Sequence, residues 1–171
     1  MSADLQLLRF DSSRGIPNHP SLPVVLRHGV LEIVGDPERC EELFASHGWG
    51  GSWRDGVFPF HHFHSNAHEV LGFVAGEATV LLGGPGGEPV TIVAGDVVVL
   101  PAGTGHKRES ASEDLLVVGA YPAGQENFDL RRGDEDELDE VRRNVASVPL
   151  PALDPSGGDT GPLVRAWSLA G

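Results

Sequence analysis

The chain has 171 residues, of which 12 are basic and 25 acidic, and a formal net charge of −13. A field of that sign repels phosphate backbones and anionic lipid, so we expect neither nucleic acid nor a membrane surface as a partner. The single cysteine excludes an internal disulfide, and no apolar run approaches the roughly 20 residues that a membrane helix needs.

The first fifty residues combine short apolar runs with prolines. The opening "MSADLQLLRF" has no basic start followed by an apolar core, so we expect no signal peptide and a cytoplasmic location. The stretch "IPNHPSLPVVLRHGV" suits an extended arm or an edge strand, because proline cannot donate to a strand ladder. Its apolar part predicts that the arm packs on the rest of the protein, within the chain or across a dimer.

A short helix is predicted where "DPERCEELFASHG" begins. Asp36 can cap the first turn, and Pro37 is suited to the first helical position. Cys40, Leu43 and Phe44 recur at helical spacing and would form the apolar face.

Residues 53–121 change in character, because valine-rich runs alternate there with glycine turns about every ten residues. This pattern is typical of an all-β sandwich or a small barrel. The segment "GGPGGE" is predicted to be a loop between two of the strands.

The C-terminal part predicts one helix over residues 134–148, with Leu138, Val141 and Val145 on its apolar face. The Pro/Gly-rich tail that follows is expected to be irregular. We expect a single domain over residues 1–171, with a core at about 53–121, an N-terminal arm and helix in 1–50, and a C-terminal helix and tail in 122–171.

Four of the eight histidines fall within "HHFHSNAHEV", residues 61–70. Alternation along a strand would put His62 and His64 on one face, where two imidazoles can chelate one metal ion. Glu69 would join them only through a turn or bulge at residues 65–67, whereas His68 has the right parity without one and is a rival ligand. His106 lies far along the chain but could close the site if its strand is adjacent in space.

Two spaced motifs around these histidines resemble the two signatures of the cupin superfamily. The first begins at Gly56, contains "HFH" and Glu69, and ends at Gly76; the second begins at Gly95, contains "PAG" and ends near His106. One position departs from the pattern, because Ser110 stands where asparagine is usual. The stretches "ELFASHGWGGSWRDGVFPFHHFHSNAHEVLGF", "LPAGTGHK" and "GAYPAGQ" resemble, more narrowly, the YjlB-like group of bacterial cupins.

The resemblance implies an all-β cupin fold, a double-stranded β-helix or jelly-roll barrel with short flanking helices, often as a homodimer. It also implies the metal ligands His62, His64, Glu69 and His106. Three imidazoles and one carboxylate suit a divalent transition metal such as Fe, Mn, Ni, Zn or Co.

Two functions are compatible with such a site. The first is a metal-dependent enzyme that acts on a small organic molecule by dioxygenase-like oxidation, or by isomerase or lyase chemistry. Its base would be His68 or Glu69, and Arg108 and Phe60 are candidate substrate contacts. The alternative is a non-catalytic cupin that binds or senses a small molecule.

Overall fold

Nine antiparallel strands and three α-helices make up the part of the chain that this computed structural model describes, residues 4–32 and 34–170. The strands are β1 (Leu5–Leu8), β2 (Val24–Arg27), β3 (Trp49–Asp55), β4 (Glu69–Ala75), β5 (Glu77–Leu82), β6 (Glu88–Val93), β7 (Val97–Leu100), β8 (His106–Ala111) and β9 (Leu116–Pro122). The helices are α1 (Pro37–Ser46), α2 (Leu138–Ser147) and α3 (Pro162–Ala170), with a 3₁₀ turn at Glu135–Glu137 before α2.

The strands form two sheets, one of six strands in the order β1-β2-β7-β4-β9-β3 and one of three in the order β6-β5-β8. Apart from the pairs β1-β2 and β5-β6, neighbouring strands are not consecutive in sequence, as expected for the predicted jelly roll. The two sheets do not close into a barrel, because each keeps its own hydrogen-bond ladder. The structure confirms the predicted all-β jelly-roll fold, with the two sheets arranged as a sandwich instead of a closed barrel.

One apolar core lies between the two sheets. The large sheet contributes Leu71, Phe73 and Val98, and the small sheet contributes Val80 and Ile92. A second core covers the opposite face of the large sheet, where α1 and α3 pack. The central strands of the large sheet are therefore buried on both faces, whereas the small sheet has a solvated outer face and alternates in burial.

The predicted N-terminal arm packs on the sandwich within the chain. Its segment Val24–Arg27 pairs with β7, and β1 then pairs with it at the edge of the large sheet. Alternate residues of β2 contribute to the two cores, because Val25 faces the helices and Leu26 faces the small sheet. The sheets thus extend beyond the predicted core range of 53–121.

The helix α1 begins as its sequence predicts. The Asp36 side chain accepts a hydrogen bond from the backbone N–H of Arg39, and Pro37 occupies the first turn. Cys40 and Phe44 are buried against Gly72 of β4, where an added Cβ would lie 2.8 Å from the Phe44 ring. Glycine at position 72 therefore lets α1 approach the sheet closely.

The C-terminal prediction is half correct. The helix predicted at residues 134–148 is present as the 3₁₀ turn and α2, with Val141 and Val145 buried. The tail, however, was predicted to be irregular and instead ends in α3. Leu163 and Trp167, four residues apart, supply its buried face, and the Pro/Gly-rich residues before it conceal this short pattern.

Each of the helices that the structure describes is too short or too polar to span a lipid bilayer.

Candidate metal centre

The segment with most of the histidines is an extended loop, not the predicted strand. Only isolated bridges interrupt it, one between His62 and His106 and one between Phe63 and Arg131. Phe63 is buried on the far side of the loop, while His62 and His64 both line a pocket between the sheets. The alternation expected of a strand therefore holds locally, because the bridged residues keep an extended backbone.

Two strand ends complete the cluster. Glu69 is the first residue of β4 and pairs with Leu100, whereas His106 is the first residue of β8 and pairs with Leu82. The turn at residues 65–67 lets the chain pass from the loop into β4 with the Glu69 side chain directed to the pocket. The bulge or turn that the sequence required at this point is thus present.

The side chains of His64, Glu69 and His106 form a compact buried group that could hold a metal ion, with one ligand atom of each within 4.8 Å of the others. The Glu69 Oε1 atom lies 3.4 Å from the Nε2 atoms of both His64 and His106. It is buried and accepts no hydrogen bond within the described residues. An unpaired buried carboxylate oxygen is costly, so its position between two imidazoles fits a cation ligand.

The ring orientations of the three histidines suit metal binding. The Nδ1 atoms of His62 and His106 lie 3.0 Å from the carbonyl oxygens of Phe60 and Thr104, and that of His64 lies against the carbonyl oxygen of Asp129. Since a carbonyl oxygen only accepts, each Nδ1 carries the proton and donates. Each Nε2 therefore keeps its lone pair, which is how proteins orient metal-ligating histidines.

His62 lies beside this group, not within it. Its ring centroid is 3.9 Å from that of His106, and it lines the same pocket. Burial, with the neighbouring His106, lowers the pKa of His62 to about 3. The ring is therefore neutral at pH 7, the state that a metal ligand requires.

The carboxylate and the imidazoles of the group shift each other's pKa. Burial alone would raise the pKa of Glu69, but the adjacent His64 and His106 outweigh it and hold that pKa below its ordinary value. Burial likewise opposes protonation of His64, yet the Glu69 carboxylate raises the pKa of that imidazole. The carboxylate and the imidazole thus favour each other's charged form.

A hydrogen-bonded chain fixes the other oxygen of Glu69. The Tyr121 hydroxyl donates to Glu69 Oε2 at 2.6 Å, and the Trp53 indole N–H donates to the Tyr121 oxygen at 2.7 Å. Trp53 lies flat on β9 because residue 119 is glycine, where a Cβ would come within 2.2 Å of the indole. Only Oε1 is left free to face the imidazoles.

The loop that follows β9 supports the cluster from the outside. Its Asp129 accepts hydrogen bonds from the backbone N–H of Ser65 at 2.7 Å and from the Ser65 hydroxyl at 2.5 Å. Arg131 pairs with the same carboxylate at 2.8 Å. Sequence analysis missed the roles of Asp129, Tyr121 and Trp53, since these contacts join residues more than fifty positions apart.

His68 does not reach the cluster, although the sequence made it a rival ligand and a candidate base. Its Nδ1 accepts a hydrogen bond from the Ala102 N–H at 2.9 Å, and its ring lies 4.7 Å from Trp167 under α3. The turn before β4 places His68 on the helix-covered face of the large sheet, because adjacent residues point to opposite faces. Its position therefore supports neither expected role.

The pocket above the cluster has a volume of about 460 Å³ and lies between the sheets. Arg108 lines it, as expected, and so do Phe58 and Phe128. Phe60 does not line it: this ring stacks on Phe58 at 4.9 Å and lies under the guanidinium of Arg132 at 3.7 Å. Of these two rings, Phe58 and not Phe60 therefore lines the pocket.

The comparison with curated proteins settles the family. The chain is 41% identical over 167 residues to the uncharacterized protein YjlB of Bacillus subtilis, which covers 98% of this chain and 99% of that protein. The chain belongs to the YjlB group of cupins. This identification agrees with the two motifs around the histidines and with the jelly-roll sandwich, whereas no protein-family model matches the chain.

The solved structures to which this cupin is similar are more distant in sequence. They include a double-stranded β-helix protein of Klebsiella pneumoniae (14% identity, 68% of this chain and 73% of that one, TM-score 0.37). Acireductone dioxygenase of Bacillus anthracis, with a cadmium ion in its active centre, is 15% identical over 52% of this chain and 60% of that one (TM-score 0.38). The DMSP lyase DddQ of Ruegeria pomeroyi is 18% identical over 65% of this chain and 42% of that one (TM-score 0.37). Similarity at this level says nothing about activity, and this cupin spans less than two thirds of the dioxygenase and lyase chains.

Proposed function

We propose that this cupin binds one divalent transition metal ion through His62, His64, Glu69 and His106, and that it is a metal-dependent enzyme acting on a small organic molecule. The observation that supports this best is the buried Glu69 Oε1, which lies 3.4 Å from two imidazole Nε2 atoms and has no hydrogen-bond partner in the described residues. The three Nδ1 contacts to backbone carbonyls favour the same reading, since they leave Nε2 of each ring available.

The donor set favours a reactive ion over a structural one. Three imidazoles and a carboxylate without a thiolate suit Fe, Mn, Ni, Zn or Co. Four protein ligands leave open positions on an octahedral ion, which when bound would supply Lewis acidity or redox chemistry. The reaction classes we propose are dioxygenase-like oxidation, or an isomerase or lyase reaction.

The chain's own residues would contribute three effects. Tyr121 holds Oε2 of Glu69, so that this carboxylate presents a single oxygen to the site. The apolar walls of the pocket exclude water and strengthen the electrostatic interactions inside it. Glu69 lines the pocket and, when displaced from the metal, is our candidate for the group that accepts a proton from a bound molecule.

Metal analysis of protein purified without oxygen tests the proposal. We expect about one equivalent of a transition metal in the wild type, a several-fold loss in His64→Ala, and a smaller loss in Glu69→Gln, whose amide oxygen remains a weak ligand. His61→Ala is the matched control, because this neighbouring histidine does not line the pocket. Unchanged metal content in His64→Ala would refute the metal site.

Turnover separates the enzyme from the binding or sensing alternative. Oxygen uptake, or conversion of a small organic compound, that disappears on chelation and returns with metal supports the enzyme. Tight binding of a compound that is recovered unaltered under every metal would support the alternative.

We also propose that the protein is a homodimer. Its support is the edge strand β1, which carries Leu7 with 46% of its surface exposed and pairs on one side only within residues 4–32 and 34–170. Light scattering should give about twice the mass of one chain, and a monomer at high micromolar concentration would refute the dimer.

A further inference from the structure

Arg108 occupies a position of the small sheet whose neighbours face the core. In the register of β5 and β8, His106 pairs with Leu82 and Arg108 pairs with Val80. Directly paired residues of antiparallel strands lie on the same face of a sheet. Since Leu82 and Val80 belong to the core between the sheets, Arg108 is directed to the same side as His106 and lines the pocket.

The guanidinium of Arg108 lacks a partner there. Within the described part of the chain it forms no ion pair and no side-chain hydrogen bond. Two other basic side chains near it are paired: Lys107 with Glu109 at 3.7 Å, and Arg54, which also lines the pocket, with a glutamate at 2.7 Å. In a chain with 25 acidic residues, an unpaired inward arginine is a site for an anion from outside.

The pocket walls are mostly apolar, although Arg54, Asp55 and Tyr121 also line them. Val57, Leu71, Phe58 and Leu130 line the pocket, and Phe58 and Leu130 are 47% and 44% exposed at its opening. Apolar surface of this kind is stabilised by an apolar ligand and gives no hydrogen bonds to a polyhydroxylated one. These walls are complementary to an apolar body on a ligand whose anionic end meets Arg108.

The spacing along β8 sets the size of the ligand. His106 and Arg108 are two residues apart, or roughly 6.6 Å along a strand. A molecule of a few carbon atoms can thus place its anionic end on Arg108 and another part at the cluster of His64, Glu69 and His106. The volume of about 460 Å³ accommodates a molecule of this size with room for a ring.

We propose that the pocket selects a small organic carboxylate with an apolar body, and that Arg108 binds the carboxylate. A single guanidinium matches one carboxylate in a two-bond geometry and balances its one charge. A phosphate ester carries up to two charges and would require a second free donor, whereas Arg54 is already paired. This inference rests on the proposed function only for the fate of the ligand's other end, not for its binding.

Binding of a matched acid and amide tests the inference. The probes are 3-phenylpropanoate and the neutral 3-phenylpropanamide, and their binding is measured by calorimetry and by tryptophan fluorescence, to which Trp53 in the pocket wall contributes. The wild type should bind the acid roughly ten- to a hundredfold more tightly than the amide, as expected for hydrogen bonds to a charged group. Arg108→Met, which keeps the apolar stem, should lose that preference, whereas Lys107→Met on the outer face of the same strand should keep it.

Each measurement is made on metal-loaded and on chelator-treated protein, so that the two proposals can fail separately. An acid preference that depends on Arg108 in both forms supports the carboxylate site, even if the protein holds no metal. An acid preference that needs metal and persists in Arg108→Met overturns the carboxylate site and leaves the metal centre standing. Equal affinity for acid and amide in the wild type, or tighter binding of phenyl phosphate than of the acid, also overturns it.

Discussion

His68 and Glu69 are adjacent in the chain and equally buried, yet they lie on opposite faces of the large sheet. Each has one buried side-chain atom without a partner among the described residues, Nε2 in His68 and Oε1 in Glu69. On the helix-covered face, His68 holds the Ala102 turn and packs on Trp167. On the pocket face, Glu69 meets two further ligand-type side chains beside a cavity.

The comparison shows that burial and an unpaired polar atom do not by themselves mark a site. What distinguishes the pocket face is the convergence of several donors, each fixed by a contact from behind. The helix-covered face has apolar packing in the same place. Variants should therefore affect stability on one face and metal binding on the other.

Trp167→Ala should have the largest effect on stability and none on the site. Its ring is buried under α3, and its indole N–H donates to the Pro23 carbonyl at 2.9 Å. Truncation of such a residue costs about 3–5 kcal/mol of unfolding free energy, measurable by urea titration. Leu169→Ala on the same helix, at a side chain that is 80% exposed, is the control and should change stability by less than about 0.5 kcal/mol. A lower metal content per folded molecule in Trp167→Ala would contradict the separate roles of the two faces.

His106→Ala should show the reverse pattern. Loss of a ligand should weaken metal affinity by more than the roughly 10- to 100-fold that loss of an outer partner costs. Competition with a chelator of known affinity measures it. His68→Gln is the matched control on the other face, and we expect it to retain metal. Equal losses in the two variants would show that the faces are not separate.

Tyr121→Phe tests whether the hydrogen bond behind Glu69 contributes to metal binding on the pocket face. The change removes the hydrogen bond to Glu69 Oε2 and keeps the ring, which stacks on Phe128 at 4.3 Å. Metal affinity should fall roughly 10- to 100-fold, because the carboxylate is no longer held in one orientation. The urea midpoint of the chelator-treated protein serves as the control for folding. An unchanged affinity would mean that Tyr121 does not orient Glu69.

A smaller effect is expected from pH on the helix-covered face. Burial lowers the pKa of His19 to about 4, and its Nδ1 accepts hydrogen bonds from the N–H groups of Ser21 and Leu22. An unfolded histidine titrates near pH 6.5. Between pH 6.5 and 4 the unfolded chain thus binds more protons, so stability falls as the pH falls through that window.

Because His19 is only partly buried, its share of this loss should be about 1 kcal/mol between pH 7 and pH 5. In urea titrations at the two pH values, His19→Asn should lose less unfolding free energy than the wild type, by that amount. Asparagine can accept the same hydrogen bonds without titrating. The same pH dependence in both proteins would contradict this role of His19.

Local sequence patterns predicted much of the fold. Asp36 and Pro37 predicted the start of α1, and the valine runs predicted most strands, because caps and alternation act over a few residues. The short amphipathic helix α3 was missed after its Pro/Gly-rich approach. The loop with most of the histidines resembles a strand in sequence, because side chains along its extended backbone alternate between two sides as they do in a strand.

The site was predictable only in part. The spacing of the motifs predicted the ligands His62, His64, Glu69 and His106. Arg108 is two residues after His106, and alternation along β8 places both side chains on the same face of the strand. The contact of Tyr121 with Glu69 depends on the register of β4 with β9, which no local pattern determines. The face of the large sheet on which His68 lies depends in the same way on how the turn at residues 65–67 leads into β4.

A crystal structure of the metal-loaded protein, with anomalous scattering to locate the ion, tests the central claim most directly. We expect one ion bound by Glu69 Oε1 and by the Nε2 atoms of His62, His64 and His106 at about 2.0–2.2 Å, with His68 outside bonding distance. An ion bound by His68, by an Nδ1 atom of these rings, or away from Glu69 would contradict it.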